Sequence, residues 1–369
     1  MSADRRRDDL KNDTRTEVRW LTAGDGDRWD AFVERHPLGG VCHKTAWKQI
    51  LESTFPHMEG HICAIVHPES GEITAGIPVY RVRSWLLGKR FVSIPFATLS
   101  DPLVSSSAQS ERLLAAAIDR CVAAPARYLE IRSWRTSAWI REPRFRASQS
   151  YRHHFVPLTN TEEQIRKRLG RTAVRQKISR AVKEGLWVET SDTLADLQAF
   201  HTLLSGTRRR LSLPPIPFRF FRAMQTALGP SGNMALLMAR SGRTAVGGVL
   251  ALKSKRVFLI EYAGDDARFR KAGVVQLLYW EAIRHALKEG HELFSFGRTY
   301  RGNKGLMESK MHWGTEVEDL CTFFYPSTTH RDAEDREASW QYRLIRYLAS
   351  RLPDPLYQRL GEFCYSHMG

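Results

Sequence analysis

The chain has 369 residues, 42% of them hydrophobic and 26% charged, a globular composition long enough for two ordinary domains with full cores. A formal net charge of +16 favours polyanionic partners such as nucleic acid, an anionic membrane face or phosphorylated substrates. Five widely spaced cysteines with no C-x-x-C pair exclude a disulfide framework and a zinc signature, and reduced thiols in a cytoplasm fit them. The N-terminus, MSADRRRDDLKNDTR, lacks the apolar stretch of a secretory signal, and no apolar run approaches the roughly 18 residues that span a bilayer. A cytoplasmic protein is expected, with any membrane contact peripheral at the inner face.

Residues 1–16 are charged and poor in apolar side chains, so they are predicted to be a disordered tail. Helices are predicted over Trp29 to Arg35 and Thr45 to Phe55. Strands follow over Ile62 to Val66, Ile73 to Tyr80 and Arg90 to Ile94, then the aperiodic loop FATLSDPL. Ser110 to Ala124 reads as a helix, and Tyr128 to Arg132 and Phe155 to Leu158 as strands. Thr159 and Glu162 stand at capping-box spacing for the next helix, which Gly170 breaks in two. Two further helices, Leu194 to Arg209 and Phe218 to Leu228, flank a proline-rich loop. A β-meander follows: Met234 to Arg240, Ala245 to Lys253 and Val257 to Ala263. Then come a polar loop, a long buried helix over Val274 to Lys288, and a strand at Leu293 to Phe296. Phe323 to Tyr325 ends the strands, and Trp340 to Cys364 is helical, interrupted by Pro353 and Pro355.

Strand, turn, strand, loop, helix, strand thus occurs once in each half, and the second occurrence has the order of an N-acetyltransferase-like domain. The fold class expected is α/β (α+β): two tandem GNAT-like domains, each a mixed, mostly antiparallel sheet with flanking helices. The boundaries are 17–155 and 156–330, with a helical segment at 331–369.

Three stretches carry chemistry. The strand LFSF breaks at Gly297 into a loop with Arg298, Arg301 and Lys304, followed by Lys310, His312 and Trp313. Cations on a glycine-broken loop beside a core strand mark the edge of a cavity. From Gln164 to Lys183 there are eight basic residues and no acid. Arg171, Arg175, Lys177 and Arg180 are the candidate polyanion contacts. Arg270 and Gly273 precede the buried helix, whose N-terminal amides suit a phosphate. Acetyltransferases that use coenzyme A place R/Q-x-x-G-x-G/A here, and this chain has Val275 at the last position. No metal site is expected, because His153 and His154 are adjacent on a strand and diverge.

Across nearly its whole length the chain resembles the FemAB-like aminoacyl/acyltransferases, in the branch associated with exopolysaccharide and exosortase clusters. The resemblance is carried by WDAFVERHP, HKTAWKQILESTF, GIPVYRVRSWLLGKRFVSIPF, RQKISRAVKEGLWVE and IEYAGDDARFRKAGVVQLLYWEAI. It is clearest in FSFGRTYRGNKGLMESKMHWG, similar to the family's F-D-F-G-R … G-L-Y-x-F-K-x-x-W-G. Here Ser295 stands for the Asp, Met307 for the Tyr and Ser309 for the Phe, while Lys310, Trp313 and Gly314 match. The resemblance implies two N-acetyltransferase-like domains facing across a cleft. It also implies transfer of an aminoacyl or acyl group to an amine or hydroxyl of a cell-envelope glycan, peptidoglycan or exopolysaccharide precursor, free or lipid-linked.

By that resemblance Lys310 is the catalytic cation, with Arg298 the next candidate, and Tyr262 lines the cleft; Glu261, Trp313 and Trp47 are further candidate substrate contacts, as are Arg270 and Gly273 at the helix N-terminus. No cofactor is expected to bind tightly. The co-substrate is aminoacyl-tRNA, acyl-CoA or an acyl carrier protein, and DNA is not an expected partner. Members that bind muramyl-peptide have a lysine, an aspartate, and an arginine and tyrosine where this chain has Leu51, Ser133-Trp134, and Ile216 and Phe220. Two alternatives remain on the same scaffold: a thioester-dependent sugar N- or O-acetyltransferase, and a non-catalytic RNA- or membrane-binding protein.

Overall fold

The computed structural model describes residues 16–329 and 339–369. The expected disordered tail lies outside these, apart from Thr16. The first half runs β1 (Glu17–Trp20), α1 (Gly26–Arg35), α2 (Thr45–Thr54), β2 (Met58–Val66), β3 (Ile73–Ser84), β4 (Gly88–Val92), α3 (Ser107–Ala123), β5 (Leu129–Ser133) and β6 (Arg146–Pro157). The second half opens with α4 (Glu162–Arg168), a π-helical turn at Arg171–Arg175 and α5 (Gln176–Lys183). It continues through β7 (Leu186–Ser191), α6 (Leu194–Arg210), α7 (Phe218–Leu228), β8 (Met234–Ser241), β9 (Thr244–Lys253) and β10 (Val257–Asp265). Then come α8 (Val274–Lys288), β11 (Leu293–Tyr300), α9 (Lys304–Met311) and β12 (Glu316–Tyr325), with α10 (Trp340–Arg351) and α11 (Asp354–Tyr365) closing the chain.

All twelve strands join one sheet in the order β1-β2-β3-β4-β5-β12-β6-β11-β10-β9-β8-β7. Each half repeats the same unit, β2-β3-β4-α3-β5 and β8-β9-β10-α8-β11, and each unit contains one parallel pair. The parallel pairs are short. β4 and β5 meet only at Phe91–Leu129 and Val92–Glu130, and β10 and β11 only from Val257–Leu293 to Leu259–Ser295. Beyond those registers the strands splay. The two halves are not separate sheets: β6 runs across the expected boundary at 155, and β12 inserts between β5 and β6.

Packing explains the joint. The first turns of α2 and the body of α7 share one apolar cluster in which Trp47, Leu51, Phe55, Ile216 and Phe220 are all buried. Phe55 and Phe220 lie 5.3 Å apart, and Tyr365 of α11 stacks on Phe55 at 6.1 Å. Burying an aromatic or leucine side chain contributes about 1.5–3 kcal/mol, so this cluster alone binds the halves firmly.

The structure departs from the sequence reading at several elements. β6 begins at Arg146, well before Phe155, because it is held on both edges by β11 and β12 and needs no alternating apolar pattern. The cap of α4 is Thr161 with Gln164, not Thr159 with Glu162: Thr161 Oγ1 accepts the Gln164 amide and Gln164 Oε1 accepts the Thr161 amide. Strand β7 was not foreseen. β11 continues through Gly297 to Tyr300, and the residues from Lys304 form α9, capped by Asn303.

Candidate functional site

The splay of β10 from β11 creates the site. Past Ser295, β11 loses its β10 partner. On its other edge Ser295 pairs with Phe155 while Arg298 pairs with His153, so Phe296 and Gly297 bulge out of the ladder. Gly297 sits at φ +71°, where a side chain would be strained. The bulge therefore leaves backbone carbonyls unpaired, and Lys310 reaches back from α9 to take them. Its Nζ donates to the carbonyls of Phe296 at 2.6 Å, Gly297 at 3.2 Å and Arg298 at 3.3 Å. Ser295 secures the other side. Its hydroxyl accepts the Gly297 amide at 3.1 Å and lies 2.7 Å from Nε2 of His153.

Glu261 stands on the facing strand, β10, just where it departs from β11. Its Oε1 accepts the hydroxyl of Thr98, from the first half, at 3.1 Å. Its Oε2 is sealed from solvent and has no hydrogen-bond partner. Burial raises the Glu261 carboxyl from 4.5 to about 7, against the opposing pull of Arg298, Lys310 and Arg132. Burial likewise lowers the Lys310 ammonium from 10.5 to about 7, with Glu261 opposing. Each group's charge opposes the shift of the other while burial brings both toward neutrality, a pattern found at functional sites. His153 is fully buried, and burial with the Lys310 charge lowers its pKa to about 3, so it remains a neutral hydrogen-bonding group.

Above this pair the halves meet over a narrow pocket lined by Thr98, Arg132, Trp134, Tyr151, Arg298 and Cys321. Arg298 is exposed and lies 5.1 Å over the ring of Tyr151. Asp101 shapes the far wall. Its buried Oδ1 accepts the amides of Trp134, Arg135 and Thr136 and the hydroxyls of Ser133 and Thr136. The Trp134 ring so fixed meets His153 edge-on at 4.4 Å.

The expected site residues thus divide. Lys310, Arg298 and Glu261 come together at the splay. Tyr262 is next to Glu261 but packs its ring on Phe221 at 5.2 Å. Trp47 and Trp313 are core residues. Trp47 donates to the Pro95 carbonyl at 3.3 Å, and Trp313 lies among Phe296 and Tyr279. Arg270 is engaged in a two-pronged ion pair with buried Asp265, Nε to Oδ2 at 2.6 Å and an Nη to Oδ1 at 3.2 Å. Gly273 is left-handed at φ +95°, and a Cβ there would lie 2.3 Å from the Lys177 carbonyl oxygen. The backbone of α5 therefore rests on the N-terminus of α8. Arg171, Arg175 and Arg180 line an open groove of about 510 Å³ with Arg166 and Lys183, and Arg180 donates to the Lys271 carbonyl at 3.2 Å.

Sequence reasoning missed Thr98, Arg132, Asp101 and the role of His153. For the first and third the available signal was FATLSDPL itself, a polar, aperiodic loop leaving a core strand. Among the described residues no group of His, Cys, Asp and Glu is placed to hold a metal ion, and no helix is long and apolar enough to cross a membrane.

Residues 168–306 match the Acetyltransferase (GNAT) domain. FemX superposes with a TM-score of 0.68 at 16% identity, covering 89% of this chain and 100% of its own. The chain has the FemX fold. The resemblance to FemAB-like acyltransferases is thereby borne out in the fold, and so is the tandem GNAT architecture. A tandem GNAT protein from the clavulanic acid biosynthesis pathway matches with a TM-score of 0.54 at 12% identity, covering 86% of this chain and 100% of its own. The C-terminal domain of a putative lysylphosphatidylglycerol synthetase from Agrobacterium fabrum matches with a TM-score of 0.55 at 13% identity, covering 82% and 91%. No curated protein sequence matches the chain. The β10–β11 splay and Glu261 lie within the residues matched to the GNAT domain, and Lys310 lies just beyond them.

Proposed function

We propose that this protein is an acyltransferase that moves an aminoacyl or acyl group from an activated ester or thioester to an amine or hydroxyl of a cell-envelope glycan or lipid-linked saccharide. The observation that carries this reading is the Glu261–Lys310 pair at the splay of two strands. The acceptor nucleophile attacks the donor carbonyl, a new C–N or C–O bond forms, and the ester or thioester bond breaks. Glu261, whose unpaired Oε2 the arriving acceptor must first uncover, takes the acceptor proton and passes it to the departing hydroxyl or thiol. The cationic form of Lys310 stabilises the oxyanion, and its longest bond, 3.3 Å to the Arg298 carbonyl, is the donor most readily redirected.

A donor carried on RNA is favoured over free coenzyme A. The basic groove of α4 and α5 is suited to a phosphate backbone. At the helix terminus where coenzyme A phosphates would sit, Arg270 is spent on Asp265 and the Lys177 carbonyl faces Gly273. A muramyl-peptide acceptor is disfavoured, because Leu51, Ile216 and Phe220 are buried in the apolar joint between the halves. The experiment is a transfer assay in which labelled aminoacyl-tRNA, acetyl-CoA and acyl carrier protein are each incubated with the protein and an envelope extract. Mass spectrometry of envelope glycans from a deletion strain runs alongside it. Label entering the glycan or lipid-linked fraction from aminoacyl-tRNA supports the reading. Transfer only to water or to protein, with an unchanged glycan profile, would sink it.

A further inference from the structure

Away from the cleft, large apolar side chains gather in solvent at one place. Trp85, at the tip of the β3–β4 hairpin, is 81% exposed, and Leu86 beside it is also exposed. The tip leans on the end of α11. Trp85 lies 6.5 Å from exposed Phe363 and meets His367 edge-on at 5.1 Å, and Phe363 meets His367 at 4.9 Å. Leu356, two turns before Phe363 on the same face of α11, is exposed as well.

Cations surround this tip. Arg83 and Lys89 are paired across the hairpin, Arg127 packs over Gly88 and donates to the Leu87 carbonyl, and Arg359 stands one turn before Phe363. Between Glu72 and Asp101 the sequence has no acid, and Glu362 of α11 is already paired with Arg219. The neighbouring helix α10 has the same character. Trp340, Leu344 and Tyr347 fall at i, i+4 and i+7 and are all exposed, Arg343, Arg346 and Arg351 accompany them, and no acid occurs in the helix.

We propose that the Trp85–Leu86 tip and the outer face of α11 seat into the interface of an anionic lipid bilayer. Tryptophan prefers the headgroup level, where its ring is half apolar and its N–H remains wet, and the rim of arginine and lysine meets the lipid phosphates. Leucine and phenylalanine then bury beneath them. A second copy of this chain is a poorer occupant, since a two-fold contact through this patch would set Arg83, Lys89, Arg127 and Arg359 against their own copies. The inference stands apart from the choice of donor and uses none of the cleft residues.

The test uses the full chain and vesicles of phosphatidylcholine alone or mixed with phosphatidylglycerol, followed by flotation. The five native cysteines are buried, so a polarity-sensitive fluorophore placed on Leu87→Cys, which keeps Trp85 and Leu86, reports from the tip. Binding to the phosphatidylglycerol vesicles with a blue shift of that probe is expected. The double variant Trp85→Ser/Leu86→Ser, with an unchanged circular dichroism spectrum, should lower partitioning about tenfold or more. Absence of vesicle binding, binding without a shift at the probe, or a dimer in sedimentation that Trp85→Ser/Leu86→Ser dissociates would each overturn the proposal.

Discussion

Thr98 and Glu261 share a 3.1 Å hydrogen bond although 163 residues separate them, and this bond couples a loop of the first half to the carboxylate at the splay of the second. The Glu261 carboxyl is raised in the folded protein, so the folded state binds more protons than the unfolded one between pH 4.5 and about 7. Its contribution to stability is therefore present below pH 4.5 and lost as pH rises through about 7. Glu261→Gln should flatten that part of the stability curve. Melting temperatures of both proteins from pH 4 to 8 check this: the variant should gain on the parent as pH rises. Identical pH dependence would show that Glu261 is not the raised group. In turnover, the same variant should lose about 10²-fold or more, the usual contribution of a positioned base.

Lys310 runs the other way. Its folded pKa is lowered to about 7, so the cost of burying the ammonium is greatest below pH 7 and is relieved as pH rises toward 10.5. Catalysis that needs ionised Glu261 and protonated Lys310 should give a narrow bell-shaped pH profile centred near neutrality, with limbs belonging to the pair. Lys310→Met should lower turnover about 10²- to 10³-fold. It should also destabilise by about 1–3 kcal/mol, because three carbonyls lose their donor. A lowered melting temperature with near-normal turnover would make Lys310 purely a clasp for the bulge and pass the charge role to Arg298.

The groove of α4 and α5 should bind RNA in a salt-dependent way. Each phosphate contact contributes a slope of about 0.7 to 0.9 in log Kd against log salt. Arg171→Glu/Arg175→Glu should reduce the slope by about two such contacts, measured by gel shift or filter binding with bulk tRNA across a salt series. An unaltered slope would return these arginines to a solvated surface.

Free acetyl-CoA should bind weakly or not at all. The Lys177 carbonyl occupies the approach to Gly273, Arg270 is held by Asp265, and Val275 stands in the first turn of α8. Titration calorimetry is decisive here. A saturable low-micromolar Kd that Arg270→Glu abolishes would contradict the expectation and favour a thioester donor.

Asp101 should matter for the cleft wall without touching chemistry. Asp101→Ala strips five donors of one buried acceptor and should cost about 3 kcal/mol or more in urea unfolding. Asp101→Asn keeps an acceptor oxygen and should cost less.

The sequence showed these parts unevenly, and for physical reasons. The meander and the helices over Phe218–Leu228 and Val274–Lys288 were legible to the residue or nearly so, because the strands are apolar runs set off by polar turns and the helices carry apolar residues at helical spacing. Polar strands such as β6 were not, since a strand flanked on both edges is specified by its neighbours. At the site, Lys310 and Arg298 were visible through the motif around Gly297, but the work of Lys310 on the bulge carbonyls was not, because a bulge exists only once β6, β10 and β11 meet. Trp47 and Trp313 were expected at substrate and proved to be packing residues, as large aromatics at helical spacing usually are. Thr98 and Asp101 came from a loop whose geometry depends on partners far away in the chain.

The insertion of β12 between β5 and β6 also sets an order of events during synthesis. When the first 157 residues have left the ribosome, β5 still has a bare edge toward β12, and it stays bare until Tyr325 emerges. The nascent first half must therefore wait, with a strand edge that invites wrong pairing, for its closing piece from the far end of the message. The many contacts between distant residues should make folding slow for the chain's length. Cut at Pro157 and expressed alone, the first half would keep that bare β5 edge, so such a fragment is expected to aggregate.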